Sequence, residues 1–151
     1  MKNKSIILVF CVMVLSVLPC YSATSGDLDG NGYVDMNDIA YFMGWFLKGG
    51  TTSKETVVSA ASSLYSSAKG PIVRLPDPAY DNFAGDSHVG MKDIAIMMAY
   101  FLKGGSSDFG VISAQAKSLY PSFESLYKLP QTPVGDSTVP VTITGIQVDN
   151  P

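Results

Sequence analysis

The chain has 151 residues, 46% of them hydrophobic and 15% charged, with a formal net charge of −3. That length allows one domain or two with a buried core. The acidic balance and the lack of a basic cluster argue against nucleic acid as a partner.

Lys2 and Lys4 precede an apolar run over residues 6–18, a positive start followed by a stretch of signal-peptide length and too short to span a bilayer comfortably. Residues 1–25 therefore read as a secretory signal peptide, cut between Ser22 and Gly26. The mature protein is expected to be extracellular, with no membrane segment. A lipoprotein signal using Cys20 stays open, although Pro19 stands where a small residue is expected, and so does an uncleaved anchor. Cleavage removes Cys11 and Cys20, leaving no thiol or disulfide chemistry. It leaves eight basic against thirteen acidic residues, a net charge of −5. A small secreted domain without disulfides needs another staple, and a metal is the usual one.

From Gly26 the chain spaces oxygen-bearing side chains as a calcium loop requires. Asp27, Asp29, Asn31, Asp35 and Asp38 stand at positions 1, 3, 5, 9 and 12 of a twelve-residue loop, and Tyr33 at position 7 offers its backbone carbonyl. Gly32 sits at position 6, where the chain must turn around the ion. An Asn-Gly turn beside a solvated acidic patch is the bland alternative, but it needs no five ligand-type residues in register. Val34 at position 8 is expected to pair with a second loop. Position 12 is Asp rather than Glu, and residues 22–26 leave no space for a preceding helix. After the loop, Ile39, Phe42, Met43 and Phe46 fall at helical spacing. Lys48 and Gly49-Gly50 end the segment, which predicts a helix over 39–48. A loop with only an exiting helix is half of an EF-hand.

The unit then recurs. Asp38-Ile39-Ala40 returns as Asp93-Ile94-Ala95 and Phe46-Leu47-Lys48-Gly49-Gly50 as Phe101-Leu102-Lys103-Gly104-Gly105, both at an offset of 55 residues. Ser63-Leu64-Tyr65 matches Ser118-Leu119-Tyr120, and Val57 and Ala61 match Ile112 and Ala116. Each repeat thus carries an added helix after its Gly-Gly stop. In the first, Thr52 and Glu55 would form its capping box, and Val57, Ala61, Leu64 and Ala68 its apolar stripe. The expected fold is all-α. Two loop-helix half-EF-hands in a pseudo-two-fold arrangement (repeats at about 26–80 and 81–130) have helices 39–48 and 94–103 facing each other, with the added helices alongside.

The offset places the second loop at 82–93. Asn82, Asp86 and Asp93 keep positions 1, 5 and 12, and His88 supplies a carbonyl at position 7. Ala84, Ser87 and Gly90 stand where a ligand, a glycine and a ligand are wanted. Fewer carboxylates predict weaker calcium binding, or a loop that kept its shape without its ion. Asp81 could serve in an irregular loop. His88, the only histidine, reads as an exposed side chain rather than a catalyst. Proline at the density of Pro71, Pro76 and Pro78 forbids a helix entering this loop, so the second half also lacks one, while the last helix could run past Pro121 to 129. In the tail, 131–151, Val139, Val141 and Ile143 alternate with Pro140, Thr142 and Thr144. This predicts a short C-terminal β-arm, either folded back on the helices or opening a further domain.

Duplicated half-EF-hands in a secreted acidic chain resemble the dockerin family. The resemblance spans 26–50 and 82–105 and is sharpest in Asp27-Leu28-Asp29-Gly30-Asn31-Gly32-Tyr33-Val34-Asp35 and Asp38-Ile39-Ala40. It implies a calcium-folded module that binds a cohesin on a scaffold protein, attaching polysaccharide-degrading enzymes or accessory proteins to a cellulosome. It also implies partner recognition at the tenth and eleventh loop residues and on the exiting helix. Those positions are Met36, Asn37, Met43, Gly44 and Lys48, and in the second repeat Met91, Lys92, Met98, Ala99 and Lys103. The repeat is longer than is common in that family, and methionine and small residues stand where hydroxyl and basic side chains are frequent.

Three function classes compete. The leading one is a non-catalytic, cohesin-binding module, monomeric before docking. Tyr41, Trp45, Leu47, Ile96, Tyr100 and Leu102 would add apolar docking surface unless they pack under the added helices. The alternative is a calcium-stabilised secreted structural or accessory protein that binds the cell envelope or a glycan. An enzyme is disfavoured. Glu55 and Glu124 stand alone, giving no carboxylate pair suited to glycoside hydrolysis, and no phosphate loop or zinc signature is present.

Overall fold

A computed structural model describes residues 24–135. It contains five helices: α1 (Met36–Leu47), α2 (Lys54–Leu64), α3 (Pro78–Asp81), α4 (Met91–Leu102) and α5 (Phe109–Leu119). Among the described residues the one isolated β-bridge joins Val34 to Val134, so the protein is mostly helical, as expected. The apolar run at 6–18, both cysteines and the β-arm expected at 139–144 lie outside the described residues. No described helix is long and apolar enough to cross a membrane.

α1 begins three residues earlier than its apolar spacing suggests. The Asp35 carboxylate accepts the Asn37 N–H at 2.7 Å, and Asp38 reaches back to the Asp35 N–H at 2.9 Å. This reciprocal cap satisfies donors that a helix start leaves open. Both long loop-following helices stop at glycine pairs in the left-handed region, Gly49-Gly50 and Gly104-Gly105. α2 is capped by Ser53, not Thr52: its Oγ accepts the Thr56 N–H at 3.2 Å and donates to Glu55. The Thr51 hydroxyl accepts the Ser53 N–H, which brings Ser53 into the capping position. α5 starts on Asp108, which accepts the Gly110 and Val111 N–H groups.

α1 packs on α2, α4 on α5, and α1 meets α4 across the middle. Leu28, Val34, Tyr41, Phe42, Phe83, Ile96, Met97 and Ile112 are fully buried between them. Each such large apolar side chain contributes about 1.5–3 kcal/mol. After its second helix each half returns to its own loop. Val73 and Arg74 donate their N–H groups to the Leu28 carbonyl, and Tyr127 and Lys128 to that of Phe83. Residues equivalent by the repeat also meet each other. Ser25 Oγ donates to the Tyr80 carbonyl at 2.9 Å, and the Gly26 N–H to Asp81 Oδ1 at 3.0 Å. Partners separated by the repeat length lie on an approximate two-fold axis.

Several expectations are corrected. A one-turn helix, α3, does enter the second loop, because Pro78 takes its first position, where the missing N–H costs nothing. α5 ends at Leu119 and does not run past Pro121. Val34 does not pair with the second loop. Its N–H donates to Pro133 O at 2.7 Å and its carbonyl accepts from Gly135, so residues 131–135 belong to the fold. Thr132 is buried and its hydroxyl donates to Ser25 O at 2.8 Å. The folded part likewise begins by Thr24, whose carbonyl accepts from Arg74 and whose hydroxyl reaches Asp27. Of the proposed apolar docking residues, Tyr41, Ile96 and Tyr100 are buried and Trp45 is half-buried, leaving Leu47 and Leu102 exposed.

Candidate metal centre

The first loop folds its acidic side chains inward around their own backbone. Asp27 Oδ1 accepts the Gly30 N–H at 2.7 Å and Oδ2 the Gly32 N–H at 3.0 Å. Asp38 is fully buried; its Oδ1 accepts from Leu28 N at 2.7 Å and Asp29 N at 3.3 Å, and its Oδ2 from Asp35 N. Gly30 and Gly32 take the left-handed conformations that point these N–H groups inward. Asn31 Nδ2 donates to both Asp29 (3.2 Å) and Asp35 (3.0 Å), while its Oδ1 accepts the Tyr33 N–H. The Tyr33 side chain is half exposed, so position 7 has only its backbone to offer the loop.

Asp27, Asp29 and Asp38 each place a carboxylate oxygen within 4.8 Å of the others, close enough to hold a metal ion. Oxygens about 2.3–2.6 Å from a common centre lie at most roughly 5 Å apart, so the spacing fits a hard cation. The electrostatics agree. Burial pushes the Asp38 carboxyl up to about 8, against the lowering effect of its backbone hydrogen bonds, and Asp29 and Asp35 raise it further. Asp29 is also raised, chiefly by burial, with Asp35 and Asp27 adding to it. Carboxyls so placed repel one another until a proton or a cation joins them.

The second loop keeps the shape and loses the charge. Gly85 and Ser87 take the left-handed φ of Gly30 and Gly32, +80° and +74° against +76° and +86°. Asn82 Oδ1 accepts the Gly85 N–H, as Asp27 accepts that of Gly30, and also the Asp86 N–H, where Asp27 instead takes that of Gly32. Asp93 repeats Asp38: fully buried, it accepts from Phe83 N at 2.6 Å, Ala84 N at 2.9 Å and Gly90 N at 2.8 Å. Its carboxyl is raised, mainly by burial. Ala84, equivalent to Asp29, brings no oxygen. The His88 side chain is exposed, and Asp86 faces the Lys92 ammonium at 3.7 Å. Asp81 is not free for a metal. It is fully buried, paired with Arg74 through both oxygens, and accepts the N–H groups of Gly26 and Asp77.

The ten positions assigned to partner recognition do not form one exposed face. Met36, Gly44 and Ala99 are buried. Asn37, Met43, Met91, Lys92 and Met98 are half-buried, and Lys48 and Lys103 are exposed. Gly44 is where α1 crosses α2: a Cβ there would stand 2.9 Å from Ala61 N and Val57 O. The sequence signal for this crossing was the pair of small residues Gly44 and Ala61. The C-terminal strap on Val34 and the Arg74–Asp81 pair had no local signal at all. A scan against protein-family models and searches of curated proteins and of solved structures return no match.

Proposed function

We propose that the chain is a secreted, non-catalytic module folded around a single strong calcium site in its first loop, and that it docks to a cohesin on a scaffold protein. The observation that carries the calcium reading is the Asp27–Asp29–Asp38 oxygen cluster. It is held by backbone donors at the start of α1 and spaced for a cation that takes six to eight oxygens. Asp35, Asn31 (after a half-turn of its amide) and the Tyr33 carbonyl would complete the shell in a half-EF-hand. Calcium would supply charge neutralisation and link the loop to the helix that follows it. The docking reading rests on the resemblance to dockerins and on exposed residues at the ends of the two loop-following helices, Phe46, Leu47 and Lys48 on α1 and Leu102 and Lys103 on α4.

One observation favours a second reading. α2 covers Gly44 and α5 packs on α4, so much of the helix surface that the resemblance assigns to the partner is internal. In that reading the module is a calcium-stabilised secreted accessory protein that binds an envelope component or glycan. Calcium titration calorimetry of the mature protein tests the metal. Binding to immobilised cohesin modules, in calcium and in chelator, tests the docking. Capture that chelator reverses is the expected result; calcium binding with no cohesin retained would replace the docking reading with the second one.

A further inference from the structure

Position 11 of the second loop is a lysine, and its ammonium lies where the loop lacks positive charge. Lys92 Nζ is 3.3 Å from Glu124 Oε2 and 3.7 Å from Asp86 Oδ2. Asp86 is the loop residue equivalent to Asn31, and Lys92 is equivalent to Asn37, so the first loop has no such pair. Glu124 comes from the segment that returns over the second loop. Ser125 Oγ donates to the Ala84 carbonyl, and the Tyr127 and Lys128 N–H groups donate to Phe83 O. The ammonium therefore bridges the loop to the strap that covers it. Asp93 is the only other carboxylate among residues 82–93, and three backbone N–H groups already hold it.

We propose that the Lys92 ammonium is the resident cation of the second loop, holding it closed between Asp86 and Glu124 without a metal ion. The protein then takes one calcium per chain, at the first loop. This stoichiometry rests on the calcium reading given above; the lysine's role does not. The arrangement satisfies the charge of a degraded site with a side chain that cannot be removed by chelation. The Lys92 stem is partly covered while Glu124 is exposed, and the ammonium is held in the charged form above all by the hydrogen bond to Glu124. Part of the interaction is solvent-screened, so added salt weakens it.

Amide hydrogen exchange on the full chain separates the two loops, because each buried aspartate marks its own set of amides. In the wild type, chelator should strip protection from Leu28, Asp29 and Asp35, the donors to Asp38, and spare Phe83, Ala84 and Gly90, the donors to Asp93. Lys92→Met keeps the apolar stem and removes the charge. It should speed exchange at Phe83, Ala84 and Gly90 by about fivefold, the scale of a partly exposed charge pair, with or without calcium. Lys92→Arg should restore most of the protection, and molar salt should reproduce part of the loss in the wild type. Unchanged exchange at these three amides in Lys92→Met would overturn the proposal, as would their loss of protection in chelator alongside the first loop. If chelator leaves the first-loop amides untouched, the single-calcium reading fails, and the Lys92→Met result still decides the role of the lysine.

Discussion

The two loops share a backbone and differ in what fills it. Each turns through two left-handed residues, caps itself with the side chain at position 1, and buries a position-12 aspartate under three backbone N–H groups. Only the first adds Asp29 and Asp35 to that frame, and only the second adds a lysine. The shape of such a loop therefore comes from hydrogen bonds and left-handed turns, and shape alone does not report an ion. Charge placement does. Three carboxylates converge in the first loop with no cationic side chain paired to them among the described residues, whereas the Asp86 carboxylate has a cation supplied by the chain.

The sharpest way to break the comparison is at the two buried aspartates. Asp38→Ala and Asp93→Ala each strand three backbone donors, at about 1–3 kcal/mol per donor left unsatisfied, so both should lose roughly 3 kcal/mol or more in urea titrations. Only Asp38→Ala should also abolish calcium binding. Gly44→Ala comes next. Its methyl would meet backbone atoms of α2, and forcing the helices apart should cost about 1–3 kcal/mol. Ala99, at the equivalent place on α4, already carries that methyl, so the first half should prove the less tolerant of added volume.

The pH response tests the first loop further. Metal-free, Asp38 keeps its proton up to about pH 8, while in the unfolded chain it ionises near 3.8. The folded state then binds more protons across that window, so the metal-free protein loses stability as pH rises from about 4 to 8, by up to about 1.4 kcal/mol per pH unit for one proton. Calcium displaces the same proton, so calcium affinity should rise over the window, up to about tenfold per pH unit. Melting curves with and without chelator at stepped pH read both signs. Smallest is Ser87→Gly: a non-glycine residue at φ +74° is strained by about 1 kcal/mol, and glycine should return roughly that much stability. Gly32→Ala should lose a similar amount from the first loop.

What the sequence made legible was local and periodic. The ligand spacing of Asp27 to Asp38, the offset of 55 residues and the glycine pairs that end α1 and α4 are all short-range patterns, and the structure has an element at each. Apolar spacing places the helix starts late because Asp35 and Asp93 have the pattern of ligands, while they also bond backbone N–H groups where α1 and α4 begin. The density of prolines before the second loop suggests a break, although Pro78 takes a first helical position, where proline is a starter. The covering of Gly44 and Ala99, and the attachment of Thr132 and Val134 to the first loop, are contacts between segments distant in sequence. Nothing in the spacing of either segment announces the other. For the same reason, the spacing that marks a partner face on α1 and α4 carries no trace of the helices α2 and α5 that cover much of it.

The contact between Gly26 and Asp81 has a consequence beyond its own strength. In a symmetric dimer of two separate chains, a residue on the axis meets its own copy, so a donor faces a donor and a carboxylate faces a carboxylate. Here one chain supplies both sides of the axis, and the two positions have become different: a bare N–H on one side and a buried carboxylate on the other. Joining the halves thus permits a complementary pair at the one place where two identical subunits can never have one. It also fixes the roles of the halves, because exchanging them would set Asp81 against a side in which Arg74 has no counterpart.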